Sequence, residues 1–212
     1  MKKYLLMFLF VALTSVFSQE KFGAGISLGF SFPSGDWSKV YNPGFGGDFS
    51  FGYFVDENIS LYASIGITNW SLDNEKFNSE INAPGKFELD GSVQALPILV
   101  GLKWIFKNKG FSPFILIEGG LYNYSVDIAG KYIDEDSDVS IVPAINETFR
   151  ESGFNFGVGF EKELDKNLLL EIKGRYHLVS NGKTYDYGDG NNEYIVGTNQ
   201  FISFAAGISF RF

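Results

Sequence analysis

The chain has 212 residues, of which 45% are hydrophobic, 17% aromatic and 20% charged, with 25 glycines. It is too apolar for a disordered chain and too rich in glycine and aromatics for a coiled coil. The lack of cysteine excludes disulfides, thiolate nucleophiles, thiolate zinc sites and a lipid-modified N-terminal cysteine, and a net charge of −8 argues against nucleic acid as a partner.

The chain opens with Lys2 and Lys3, followed by an apolar run from Tyr4 to Val16 and small residues at Ser15 and Ser18. This is the pattern of a cleaved secretory signal peptide over residues 1–19. The run is about thirteen residues, short of the roughly 17–25 that a spanning helix needs. Loss of the two lysines takes the net charge from −8 to −10. Residues 20–212 form the exported domain.

From there, eight segments alternate with period two, the mark of strands with two unlike faces. In the first, Phe22, Ala24, Ile26, Leu28, Phe30 and Phe32 oppose Gly23, Gly25, Ser27, Gly29 and Ser31. In the second, Phe45, Gly47, Phe49, Phe51 and Tyr53 oppose Gly46, Asp48, Ser50 and Gly52. In the third, Ile59, Leu61, Ala63, Ile65 and Ile67 oppose Ser60, Tyr62, Ser64, Gly66 and Thr68. In the fourth, Leu96, Ile98, Val100, Leu102, Trp104 and Phe106 oppose Pro97, Leu99, Gly101 and Lys103. The fifth, the least regular, sets Ile115, Ile117, Gly119 and Leu121 against Leu116, Glu118, Gly120 and Tyr122. The sixth sets Phe154, Phe156, Val158 and Phe160 against Asn155, Gly157, Gly159 and Glu161. The seventh sets Leu170, Ile172, Gly174, Tyr176 and Leu178 against Glu171, Lys173, Arg175 and His177. The last sets Ile202, Phe204, Ala206, Ile208, Phe210 and Phe212 against Ser203, Ala205, Gly207, Ser209 and Arg211.

The bulky face carries no charge in any segment, and the other face is mostly glycine, serine and a few charges. An eight-stranded barrel has only enough lumen for side chains to fill, so about thirty-five bulky residues have no room inside. They face outward, which suits lipid and not water. Each segment has the roughly ten residues of a tilted membrane-spanning strand. Three connections are tight (Val55 to Asn58, Lys107 to Gly110, Asp165 to Asn167). Four are long: Pro33 to Gly44, Ser71 to about Ser92, Ser125 to Gly153, and Val179 to Asn199. Their strict alternation puts all long loops at one end. The expectation is an all-β, eight-stranded, antiparallel up-and-down transmembrane β-barrel with long loops outside. A lipocalin-like carrier needs an apolar lumen, which the alternation disfavours.

The chain resembles the OmpA-like small outer-membrane β-barrels, in particular the outer membrane protein beta-barrel domain or porin-family group common in Bacteroidetes. The resemblance rests on Phe212 with Phe210, Ile208 and Phe204, on Leu96-Pro97-Ile98 leading to Gly101-Leu102-Lys103-Trp104, on Pro113-Phe114, and on Gly174-Arg175-Tyr176. It spans residues 21–212 and implies a bacterial outer-membrane location. It implies contact with outer-membrane lipids, lipopolysaccharide included. It also implies that the last strand, with Ile202, Phe204, Ile208, Phe210 and Phe212, is a recognition signal for the barrel-assembly machinery. The chain ends at the last strand, so cell-wall anchoring is not expected.

Three constellations are candidates for chemistry. Asp48, Glu118, Glu161 and Glu171 balance Lys103, Lys173, Arg175 and Arg211 on the inward face, as ion pairs plugging the lumen or, alternatively, as a polar track for a small pore. The sole histidine, His177, stands three residues from Ser180, on opposite strand faces, which disfavours a serine–histidine pair of the lipid A deacylase kind. The acidic stretches Asp134-Glu135-Asp136 with Asp138, and Asp186 and Asp189 with Gly188 and Gly190, lack an EF-hand pattern and read as solvated loops. Tyr185, Tyr187, Tyr194 and Trp37 decorate the long loops, for adhesion or as a membrane-edge girdle. No cofactor and no catalytic or metal residue is expected. A structural or surface-interaction role leads, with a lipid A-modifying enzyme and a small pore as alternatives, and the external partner is not identified.

Overall fold

In a bilayer core no water satisfies backbone N–H and C=O groups, so strands cross only as a closed sheet. The computed structural model describes residues 21–212 except 82, 109, 181–183, 187–192 and 196–198, and leaves out the side chains of 184–186 and 193–195. The signal-peptide segment lies outside the described residues. The strands are β1 (Phe22–Ser34), β2 (Gly44–Phe54), β3 (Ile59–Ser71), β4 (Lys86–Ile105), β5 (Ser112–Ile133), β6 (Val139–Glu163) and β7 (Leu168–Val179). They continue with β8 (Thr184–Asp186), β9 (Glu193–Ile195) and β10 (Asn199–Arg211). Strands β1 to β7 and β10 close an antiparallel eight-stranded barrel in which each pairs with its neighbours in the chain and β10 returns to β1. The seam is locked at its base: Phe22 N–H donates to Phe212 O at 3.0 Å, and Phe212 N–H to Phe22 O at 2.9 Å. Among the described residues, strands β8 and β9 pair with each other and not with the barrel.

The pairing register fixes the barrel's shape. A walk across the strands runs Phe54, Ser60, Lys103, Leu116, Gly157, Arg175, Ser203, Ser31 and back to β2 at Gly44, ten residues from its start. With about 3.3 Å rise and 4.8 Å strand spacing, that stagger gives a tilt of about 40° and a radius of about 8 Å. Every residue on the walk points into the lumen.

Bulky side chains line the outside: Phe30 is 59% exposed, Phe51 42% and Phe210 48%, whereas Arg175 is 9% exposed. The expected division between wall and lumen therefore holds. The lumen is not filled by small residues alone, however. Trp70, Tyr122, Tyr124, Phe114, Phe201, Leu99 and Ile105 are fully buried. Large inward groups come mainly from β4 to β7, and they reach across to the glycine and serine faces of β1, β2, β3 and β10. Glycines also make sockets between adjacent strands. A Cβ at Gly153 would stand 2.5 Å from Tyr122 Cε2, and one at Gly159 would stand 2.8 Å from Phe114 Cε2.

Of the segments expected to be long loops, 125–153 is mostly strand and 71–92 is part helix and part strand. β4 begins at Lys86, β5 runs to Ile133, and β6 starts at Val139. The three strands rise beyond the lipid-facing band as a wall about 20 Å tall. The hydrophobic code changes faces there while parity stays constant. Within the band, Leu96, Ile98 and Val100 face outward. Above Gln94, Val93 and Leu89 are buried inward while Lys86, Glu88, Asp90 and Ser92 face out. In β5 the change falls at Asn123. The outer solvent thus changes from hydrocarbon to water at Gln94 and Asn123. The outward-bulky pattern stops there, so it could not mark these strands in the sequence.

A wall projecting into water has open edges, which invite aggregation. The β4 edge is free once β3 ends opposite Ser92. Helix α1 (Asn74–Ile81) covers it. Asn74 Nδ2 donates to Leu89 O and Asn74 Oδ1 accepts Leu89 N–H, both at 2.8 Å. Asn78 repeats this with Phe87, at 2.8 and 2.7 Å. Spaced i,i+4 on the helix, the two carboxamides meet residues i,i+2 on the strand and imitate a neighbouring strand. Asp73 starts the helix, its Oδ1 accepting the N–H of Glu75 and Lys76, and Phe77 packs edge-on to Phe87. The β6 edge is interrupted instead: residues 143 and 144 oppose the single residue Ala129, a bulge that contains Pro143.

Replacing both Asn74 and Asn78 with alanine should uncover the β4 edge. Losing about 1–1.5 kcal/mol of net hydrogen bonding should speed amide exchange at Phe87 and Leu89 about tenfold. The band strands should stay protected, as hydrogen-exchange mass spectrometry would show.

Candidate functional site

The inward charges converge on the middle and lower lumen. Strand parity aims each one at the axis, and register sets its depth. Arg175 on β7 donates from one guanidinium nitrogen to Asp48 Oδ2 at 2.7 Å, and its other terminal nitrogen lies 3.5 Å from Glu118. Lys173 reaches Asp48 at 3.0 Å and Glu171 at 3.3 Å. Lys103 meets Glu171 at 2.5 Å and Glu161 at 3.4 Å, and Arg211 meets Glu161 at 2.8 Å. The structure therefore joins all eight residues into one chain: Glu118, Arg175, Asp48, Lys173, Glu171, Lys103, Glu161, Arg211. Its charges alternate in sign along its whole length. Each ion borders at least one of opposite sign, which offsets the desolvation that makes isolated buried ions costly.

Apolar layers bound the charges. Above them lie Trp70, Val93, Tyr122, Tyr124 and Phe201, while Ile105, Phe114 and Leu116 pack among the lower charges, Leu116 opposite Lys103 and Phe114 two residues above Ser112, the partner of Glu161. Cation–π contacts stitch the lower boundary, with Lys103 Nζ 4.4 Å from the Phe114 ring centre and the Arg211 guanidinium 4.4 Å from that of Phe54. Trp37, expected as a loop decoration, turns into the upper layer instead. It packs edge-on against Trp70 at 5.3 Å and Tyr124 at 5.6 Å, and so caps the lumen.

His177 is 3% exposed and joins a second relay. Arg175-paired Glu118 accepts Asn155 Nδ2 at 3.1 Å, which turns Asn155 Oδ1 toward Tyr122. Tyr122 donates its hydroxyl to Asn155 Oδ1 at 2.6 Å, so its oxygen accepts from His177 Nδ1 at 2.8 Å. His177 Nε2 is then an acceptor, and Ser203 Oγ–H donates to it at 2.8 Å. The serine partner is thus Ser203 on β10, where sequence separation conceals it, while Ser180 is exposed and uses its backbone N–H on Ser152 O. The order serine, histidine, tyrosine imitates a catalytic relay, but the void beside Ser203 is about 30 Å³. That holds one water molecule and no acyl substrate. Two buried atoms with no protein partner, Ser31 Oγ and Arg175 Nε, belong to residues lining it.

Beyond Ser203 and Tyr122, three further participants lay outside the set read from the sequence. Ser27 donates to Asp48 at 2.8 Å, Asn155 bridges the two networks, and Lys107 approaches Glu161 at 3.8 Å from the periplasmic turn. Ser27 and Asn155 were legible as inward positions. Lys107 sits past the strand end, where parity fails. The acidic tip is a turn: Asp134 Oδ1 accepts Asp138 N–H at 2.8 Å, with Ser137 at φ 68°. Among the described residues no group of three or more His, Cys, Asp or Glu side chains is arranged to hold a metal. Tyr187, Gly188, Asp189 and Gly190 lie outside the described residues, as do the side chains of Tyr185, Asp186 and Tyr194.

The profile of the family described as outer membrane protein beta-barrel domain matches residues 4–212. Among solved structures, Neisserial surface protein A is similar at 15% identity and TM-score 0.57, over 90% of this chain and 97% of that one. The attachment invasion locus protein Ail of Yersinia pestis gives 14% identity and TM-score 0.49, over 91% and 99% of the two chains. The outer membrane protease OmpT of Escherichia coli gives 13% and 0.49, over 92% and 98%. No curated protein matches the chain.

Arg175→Met should strand Glu118 and leave Asp48 with Lys173 alone, and so cost about 3–5 kcal/mol. Arg211→Met, at the vestibule, should cost less. Urea midpoints of the barrel in lipid vesicles measure both, and equal midpoints would contradict a network centred on Arg175.

Proposed function

The chain belongs to the outer membrane protein beta-barrel domain family, and from that premise we propose that it is a surface-interaction protein whose working part is the wall of β4, β5 and β6, with no open pore and no enzymatic step. One observation carries this reading: the barrel extends a guarded, side-chain-packed sheet about 20 Å past its lipid boundary, on the side of the long connections, which in such barrels is the cell exterior. The wall is braced. Phe87 packs against Phe77 and Tyr132 at 5.7 and 4.8 Å. Lys131 lies 3.1 Å from Glu88 and holds that exposed carboxyl below its usual range, first through their hydrogen bond and then through their charges. Val139 and Ile141 stand on its outer face, 59% and 85% exposed. A rigid scaffold holding an exposed distal surface suits binding better than chemistry.

The lumen supports the two negative parts of the reading. Ion pairs cross it, aromatic rings cap it, and the His177–Ser203 pair is sealed from any acyl chain. Export through the N-terminal signal and assembly through the C-terminal strand, with Phe210 and Phe212, belong to the same proposal.

The test compares cells carrying the wild-type chain with cells in which residues 127–146 are replaced by a two-residue Asn-Gly turn. The trimmed barrel should keep its heat-sensitive gel mobility while losing adherence to protein-coated surfaces by at least about fivefold. Unchanged adherence, together with an acyl difference in lipid A that vanishes in His177→Ala or Ser203→Ala cells, would replace this reading with the enzymatic one. In planar bilayers the purified barrel should show no stable open channel.

A further inference from the structure

The lipid-facing band carries three outward glycines, Gly47, Gly174 and Gly119. Two of them are covered by the protein itself. A Cβ at Gly47 would meet Leu28 Cδ2 at 2.7 Å, and one at Gly174 would meet the Phe204 ring at 3.2 Å. At Gly119 nothing lies closer than Gly153 O at 3.8 Å. Gly119 also belongs to an ordered row. Phe51, Ala63, Val100, Gly119 and Phe154 are successive register partners across β2 to β6. Rings stand at both ends and small residues between them, so the wall dips into a trough. Leu61, Leu102 and Tyr53 continue its lining toward the periplasmic turns.

The direction of the trough follows from the shear. Rows climb toward the exterior from β2 to β6, so a line from Phe154, whose ring closes the trough in the outer half of the band, past Gly119 to Tyr53 descends steeply, over roughly 15–20 Å, across the middle of the band to its periplasmic edge. The trough is continuous with the surface that meets hydrocarbon. An occupant there is apolar, long and thin, and lies close to the membrane normal. A second copy of the barrel does not fit this description, because two concave walls facing each other about a twofold axis leave a void between them.

We propose that this trough seats one acyl chain of a periplasmic-leaflet phospholipid, retained in preference to the lipids around the rest of the barrel. The proposal requires the barrel to stand in a bilayer and is independent of any surface role for the wall.

The experiment is native mass spectrometry of the full barrel extracted from outer membranes in mild detergent. The wild type should carry one adduct of phospholipid mass. Gly119→Leu fills open space on the outer wall and should reduce that adduct at least fivefold, with normal heat-sensitive mobility. Val158→Leu, elsewhere on the band, should leave it unchanged. If Gly119→Leu assembles poorly, Ala63→Leu takes its place with the same expectation. Equal retention in wild type and variant overturns the proposal. So does an adduct of lipopolysaccharide mass, and so does a dimer that the substitution abolishes.

Discussion

Hydrocarbon offers a peptide group no hydrogen-bond partner, and the cost of several kcal/mol for each unsatisfied group decides the architecture before any side chain is considered. The sheet has to close, and the mutual hydrogen bonds of Phe22 and Phe212 complete the closure. Closure at eight strands with a stagger of ten sets the lumen radius near 8 Å. That radius turns the two faces of each strand into two separate packing problems. Outside, any large apolar group is acceptable. Inside, each group has to match what comes from the opposite wall.

This difference explains what could be read from the amino-acid order. The outer face needs only a property, so Phe30, Ile65, Val100 and Phe156 announce themselves by parity, and the strands follow. The inner face needs partners. Parity places Asp48 and Lys173 in the lumen, but 125 residues separate them, and only the register brings them to 3.0 Å. Likewise His177 has its serine on β10, not three residues along its own strand, because the nearest side chains inside a narrow barrel come from other strands. The alternating order of the eight charges is a product of shear and was invisible in the sequence.

The wall above the membrane was missed for a different reason. Its residues alternate as regularly as those below. At 86–93 the apolar member of each pair is the inward one, as in any water-soluble sheet. A search for bulky groups facing outward therefore ends at Leu96 and reports a loop. The change of code is informative in itself, because the strand is continuous and only its surroundings differ. Gln94 and Asn69, hydrogen-bonded at 2.8 Å, and Asn123 with Arg150 at 2.7 Å, stand on the outer wall where the code changes. Leaving the bilayer reopens the edge problem that closure had solved, and the answers are local: two carboxamides from α1 on one side, a proline-containing bulge on the other.

Inside and outside thus divide the labour. The lumen is committed to holding the barrel shut. Its charges alternate in sign along one chain, its rings cap both ends of that chain, and the void beside the serine–histidine pair is the size of a water molecule. On the perimeter, two features depart from what folding alone demands. The wall is longer than a span requires, since β6 has 25 residues where about ten suffice to cross. The band is also indented at Gly119, although a Cβ there would meet nothing closer than 3.8 Å and would add apolar surface. Neither departure improves the barrel as a plug in the membrane. On the proposed reading, each is a surface shaped for something outside the chain, one in water and one in lipid.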